Sequence, residues 1–178
     1  LISTTYPSEI FPITINSQPN SSATNNLTIR STVNTNVTIS SSSGLGILVF
    51  NGASYVTVDG NTNNGSTLLL RNIASSSSTI RLTNSATYNK FLNLTIEGGG
   101  TASGVFRMES GLSGAGNTGN KIMDCTLRNR SDGTGTPTYM ILINSSAKAI
   151  NDSIINCNIF NFTNTAIYSS GAYAVLFL

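Results

Sequence analysis

Short runs in which aliphatic and polar residues alternate recur along the chain: Ile13-Thr14-Ile15, Leu27-Thr28-Ile29, Val37-Thr38-Ile39, Val56-Thr57-Val58, Leu94-Thr95-Ile96 and Cys125-Thr126-Leu127. Side chains alternate faces along a β-strand, so the outer residues of each triplet point to one side and the middle residue to the other. Similar runs lie at Ile47 to Phe50, Leu68 to Arg71, Ile80 to Thr83, Val105 to Met108, Met140 to Asn144 and Ala166 to Ser169. Gly, Asn and Ser separate them, residues suited to tight corners. No segment sustains a helical period, and the pattern predicts an all-β chain.

The runs repeat at a fixed interval. NKFLNLTIEGG from Asn89, NKIMDCTLRN from Asn120 and NDSIINCNIFN from Asn151 start 31 residues apart, and NGASYVTVDG from Asn51 begins 38 residues before the first of them. Self-similarity at this period indicates stacked coils. Two or three strands per repeat predict a parallel β-helix of about five coils, with neighbouring coils roughly 4.8 Å apart. A β-sandwich would leave the shared orientation and spacing of the copies unexplained. The alignment predicts two inner ladders, one of Leu27, Val56, Leu94, Cys125 and Cys157, the other of Ile29, Val58, Ile96, Leu127 and Ile159. Residues 1–178 read as a single β-helix segment of a longer chain or assembly.

Residues 51–161 resemble right-handed parallel β-helix repeat proteins of the pectate-lyase-like group, whose repeats carry an Asn, two spaced aliphatics and a closing Asn or Gly. The opening TYPSEIFPITINSQ followed by NNLTIRS is similar to the first coils of large secreted bacterial surface proteins with that fold. The resemblance implies that Asn129 and Asn161, which close successive triplets, belong to an inward asparagine ladder whose stacked amides satisfy buried corner groups. It implies little about activity, since the fold hosts lyases, hydrolases, adhesins, phage spikes and passive stalks.

Composition narrows the function classes. Only 9% of residues are charged, yet the regular β-branched triplets argue against disorder. Nine basic and seven acidic residues give a net charge of +2, and the basic ones are scattered, Arg128 and Arg130 being the only close pair besides isolated positions such as Lys90, Lys121 and Lys148. A nucleic-acid partner would need a basic stripe with interleaved aromatics, so none is expected. No apolar run is long enough to span a bilayer, and no membrane insertion is expected.

Several positions could carry chemistry. Cys125 and Cys157 are predicted neighbours one coil apart, either bridged or packed as free thiols. With no His in the chain, a Cys-His nucleophile is excluded. Asp59 and Glu97, aligned on adjacent coils, are the carboxylate pair that an acid/base glycosidase would need, and neutralisation of Glu97 by Arg128 is the structural alternative. Thr28, Thr57, Thr95, Thr126 and Asn158 form an outward file explained by strand propensity. The motifs of polygalacturonases and the acidic calcium ligands of pectate lyases are not matched, Asp124, Asp132 and Asp152 lying at unmatched positions. No catalytic, cofactor-binding or metal-binding residue is assigned, and no cofactor is expected. Asn-x-Ser/Thr triplets at Asn26, Asn36, Asn93, Asn129, Asn144 and Asn161 are unremarkable in so Asn-rich a chain, and Asp152-Ser153-Ile154 resembles a short O-glycosylation pattern.

These readings converge on a structural or adhesive β-helix module, extracellular or at a cell surface, without catalysis of its own. Its expected partners are neighbouring coils of the parent chain or head-to-tail copies of itself, and glycans if Tyr55, Tyr88, Tyr139 or Phe160 make an aromatic platform. The alternatives are a polysaccharide lyase or hydrolase and a non-catalytic glycan-binding module.

Overall fold

Among the described residues the chain winds through seventeen parallel-paired strands. The computed structural model describes residues 8–32, 34–61, 65–109, 116–144, 150–170 and 174–177, the last stretch by its backbone alone. Lys148, Leu178 and the opening Thr5 to Pro7 lie outside the described residues. In chain order the strands are β1 (Ile13–Asn16), β2 (Leu27–Arg30), β3 (Asn36–Ser41), β4 (Leu48–Asn51), β5 (Val56–Asp59), β6 (Thr67–Asn72), β7 (Ile80–Thr83), β8 (Lys90–Leu92) and β9 (Leu94–Gly98). There follow β10 (Phe106–Glu109), β11 (Lys121–Met123), β12 (Thr126–Asn129), β13 (Tyr139–Asn144), β14 (Ile150–Ile155), β15 (Asn158–Ile159), β16 (Thr165–Ser170) and β17 (Ala174–Phe177).

Every third strand joins the same sheet. Sheet A is ordered β1-β4-β7-β10-β13-β16, sheet B β2-β5-β8-β11-β14-β17 and sheet C β3-β6-β9-β12-β15. All pairings between these strands are parallel and nearly all are in continuous register, giving the stacked three-sheet coil of a parallel β-helix. The interior is filled from all three sides. Phe91 on sheet B lies edge-on between Phe50 and Phe106 of sheet A, with ring centroids 5.0 and 4.9 Å away. Each such aromatic contact adds about 1 kcal/mol beyond the area it buries. Val58, Leu70, Ile80, Leu82, Ile96, Ile122, Leu127 and Ile143 around them are completely buried.

The register breaks both expected ladders at the same step: Leu27 stacks on Val56 in sheet B, but Leu94 stacks on Leu68 in sheet C. Ile96 stacks on Leu70 and Leu127, and Leu127 on Ile159, all in sheet C. Val58 instead stacks between Ile29 and Phe91 in sheet B. Likewise the outward Thr28 and Thr57 continue into Lys90 and Lys121, whereas Thr95 and Thr126 follow Leu69 in sheet C, so the single threonine file is two half-files.

The reason is the corner between sheets B and C. Asn93, Asp124 and Asn156 each adopt a left-handed conformation, with φ of 54°, 54° and 49°. Asn and Asp tolerate this conformation better than other side-chain-bearing residues. One such residue turns the chain between sheets, so what reads as one repeat motif is two strands on different faces. In the coil before, Gly60 holds this place, tight against the Asn93 carbonyl.

Candidate functional site

The corner between sheets A and B carries a second column of left-handed residues: Tyr55, Tyr88, Gly119 and Asn151, with φ of 58°, 56°, 70° and 60°. Bulky side chains rarely adopt this conformation, and its presence in two tyrosines one coil apart is notable on energetic grounds. Their rings stack, with centroids 5.1 Å apart and planes inclined by 17°. Tyr88 is half-exposed and leans over Gly119, where a Cβ would collide with its ring.

Two residues after each of these positions, the outward file of sheet B reads Thr57, Lys90 and Lys121, with Lys90 directly beside Lys121. Both lysines are exposed, and neither ammonium group has a hydrogen-bond or ion-pair partner among the described residues. Tyrosines on one flank and lysines on the other enclose a groove of about 360 Å³ along the coil axis, extended by Ala23 and Asn26 at one end. The sequence offered Tyr55 and Tyr88 as glycan candidates with nothing to fix them together; the 33-residue register that joins them also joins Thr57 to Lys90. Tyr139 lies elsewhere, packed against Tyr168 on sheet A.

Asp59 and Glu97 do not face each other. Asp59, on sheet B, accepts hydrogen bonds from Asn93 Nδ2 at 2.8 Å and the Asn61 amide at 3.0 Å. Glu97 lies on sheet C, fully buried, between Arg71 (2.6 Å) and Arg128 (2.8 Å), and it accepts the Ser131 amide at 3.2 Å. Burial alone would push its carboxyl up, but the Arg71 hydrogen bond and the Ser131 amide hold it below its ordinary value. The expected neutralisation by Arg128 is present. The pair is a buried structural network rather than a solvated one, and Arg71 and Arg130 tie Asp132 into it at 2.9 Å each.

The asparagine ladder is present in two forms. Asn161 Nδ2 donates to Asn129 Oδ1 at 3.0 Å, but this pair lies toward solvent. The fully buried ladder is Asn89, Asn120 and Asp152, on sheet B just ahead of β8 and β11 and within β14. Asn89 Nδ2 donates to Asn120 Oδ1 at 3.0 Å, and Asn120 Nδ2 donates to Asp152 Oδ1 at 3.1 Å. The second hydrogen of each amide goes to a main-chain carbonyl, Ala53 for Asn89 and Ala86 for Asn120. Asp152 has no amide to continue this, and its Oδ2 is buried with no partner among the described residues. Burial outweighs the Asn120 hydrogen bonds and pushes its carboxyl up to about 6. Asp152 and Ile154 take inner positions, and Ser153 between them faces outward, part-exposed. By register the residue equivalent to Asn120 is Asp152 and not Asn151, the step here being 32 residues rather than 31.

Cys125 and Cys157 stack in adjacent coils as free thiols. Cys125 donates to the Met123 carbonyl at 3.2 Å and Cys157 to the Ile155 carbonyl at 3.3 Å. Its hydrogen bond with Cys157, together with burial, pushes the Cys125 thiol up, away from thiolate chemistry.

The chain matches no protein-family model, no curated protein and no solved structure.

Proposed function

We propose that this chain is a structural or adhesive β-helix module of an extracellular or cell-surface assembly, working as a rigid spacer and without catalysis of its own. The observation that carries the reading is the state of its outermost rungs. Among the described residues, β1, β2 and β3 at one end, and β16, β17 and β15 at the other, each pair on one side only. Such edges recruit further strands in the same register. Leu27, at the edge on β2, is half-exposed, and Ile10 ahead of β1 is almost fully so. Further coils or a second copy of the chain, stacked head to tail, would satisfy both edge and apolar surface. A heterologous contact of that kind propagates into an open rod. The likeness of the repeats to pectate-lyase-like β-helix proteins and to secreted bacterial surface proteins supports the same reading, and polysaccharide cleavage is not favoured: Asp59 and Glu97, the carboxylates such chemistry would draw on, sit on different sheets and Glu97 is held by two arginines.

Electron microscopy and sedimentation at rising protein concentration test the stacking. Rods that lengthen with concentration and shorten in Leu27→Lys are expected. Uniform single-module particles at every concentration would overturn it, and turnover of an acidic polysaccharide lost in Glu97→Gln would overturn the non-catalytic assignment.

A further inference from the structure

We infer that the groove of Tyr55, Tyr88, Lys90 and Lys121 is a binding site for a sugar chain carrying tetrahedral anionic esters, sulfate or phosphate. Four observations lead there. Lys90 and Lys121 are in-register neighbours. Like charges placed directly opposite on adjacent strands repel, and here no acidic group among the described residues relieves the pair. An anion seated between them removes that cost.

The chemistry of the cation selects the anion. An arginine fork matches the plane of a carboxylate, whereas an ammonium is a compact point charge with three donors free to turn. Two ammonium groups on strands about 4.8 Å apart can each take an oxygen of one tetrahedral group. Arg71, Arg81, Arg107, Arg128 and Arg130, by contrast, are engaged with carboxylates at Glu97, Glu109 and Asp132.

Size and shape select a chain rather than a free ion. The groove runs past Asn26, Thr57, Lys90 and Lys121 on successive rungs, a length of about 14 Å, and its volume is that of an organic ligand. Its other wall is the tyrosine stack, with the Asn26 amide and the Thr57 hydroxyl nearby. A polyhydroxylated ring has apolar C–H faces for the first and hydroxyls for the second. Tyr55 and Tyr88 already stack on each other, so no base can slide between them, and two lysines are few for a nucleic-acid backbone. The groove lies on the flank of the coil, so this inference stands or falls separately from end-to-end stacking.

Calorimetry with the full chain provides the test, using a heparin hexasaccharide, the same oligosaccharide desulfated but keeping its carboxylates, a phosphorylated mannose oligosaccharide and a dT oligonucleotide. Binding of the sulfated or the phosphorylated sugar, at least tenfold tighter than the desulfated one, is expected, and which of the two binds identifies the source of the ester. Lys90→Gln and Lys121→Gln should each weaken it about tenfold, while Arg81→Gln on sheet A leaves it unchanged. Tyr88→Phe should keep the fold, checked by circular dichroism, and most of the affinity. Equal binding of the desulfated sugar, an equal loss in Arg81→Gln, tighter binding of dT, or no binding of either ester-bearing sugar would each overturn the assignment.

Discussion

Replacing Asp152 by Asn should make the protein more stable at neutral pH, and the size of the gain follows from the ladder. The carboxyl is fully buried, one of its oxygens has no partner among the described residues, and its folded pKa of about 6 stands above the 3.8 of an ordinary Asp. A folded-state pKa above the unfolded one means that the folded chain holds the proton more tightly. The stabilisation is therefore complete below about pH 4 and is lost as pH rises through about 6. A gap of about two units corresponds to about 3 kcal/mol. Asn has the shape of the protonated acid and supplies the missing amide donor, so Asp152→Asn should recover most of that above pH 7. For a chain of this length the gain corresponds to a rise in Tm of roughly 6 to 12 °C. The assay is thermal unfolding of wild type and variant between pH 4 and 8. The variant should lead by several degrees at pH 8 and by little at pH 4; a lead independent of pH, or no lead, would refute the reasoning. Taking the difference between the two proteins cancels the titration of every other group.

Glu97→Gln should cost about 3 kcal/mol at pH 7, because it leaves Arg71 and Arg128 partly buried around a neutral amide, and urea denaturation measures this. Since the Glu97 pKa is lowered on folding, its contribution is present above its unfolded value of 4.5 and lost as pH falls through the depressed one, so the variant should show a flatter acid limb. Gly60→Ala should destabilise by about 1 to 3 kcal/mol, as the new methyl meets the Asn93 carbonyl, while Gly44→Ala, with nothing within 4 Å of its Cβ, should be nearly neutral in the same assay. Under native conditions an alkylating reagent should modify Cys157 before Cys125, since only Cys157 is part-exposed; mass spectrometry after timed quenching reads the order.

Strands and architecture were legible in the sequence because aliphatic spacing survives in every coil. The vertical register was legible from Leu27 to Val58 and again from Asn89 onward, but not across the step between them. From Asn89 onward a single left-handed residue, Asn93 or Asp124, links the sheet B strand to the sheet C strand, and the eye takes the second as the repeat's centre. In the preceding coil residues 60–66 separate Val56 to Asp59 from Leu68 to Leu70, so in the sequence Val56-Thr57-Val58 aligns with the wrong half of the next motif. That slip paired Asp59 with Glu97 and hid the neighbourhood of Thr57, Lys90 and Lys121. The buried ladder was missed for a related reason: Asn89 stands beside Val56, and Asp152 ends a column of asparagines, so no one residue type marks it. Tyr55 and Tyr88 carry a usable signal, each standing two residues before the outward position of a sheet B strand, but only once that register is known.

Nuclear Overhauser contacts between backbone amide and α protons of neighbouring strands test the coil most directly. The three-sheet parallel β-helix predicts contacts linking the strand of Val58 to those of Ile29 and Phe91, and the strand of Ile96 to those of Leu70 and Leu127. Strong contacts between opposed α protons, the mark of antiparallel pairing, or a backbone contact of Val58 with Ile96, would contradict it.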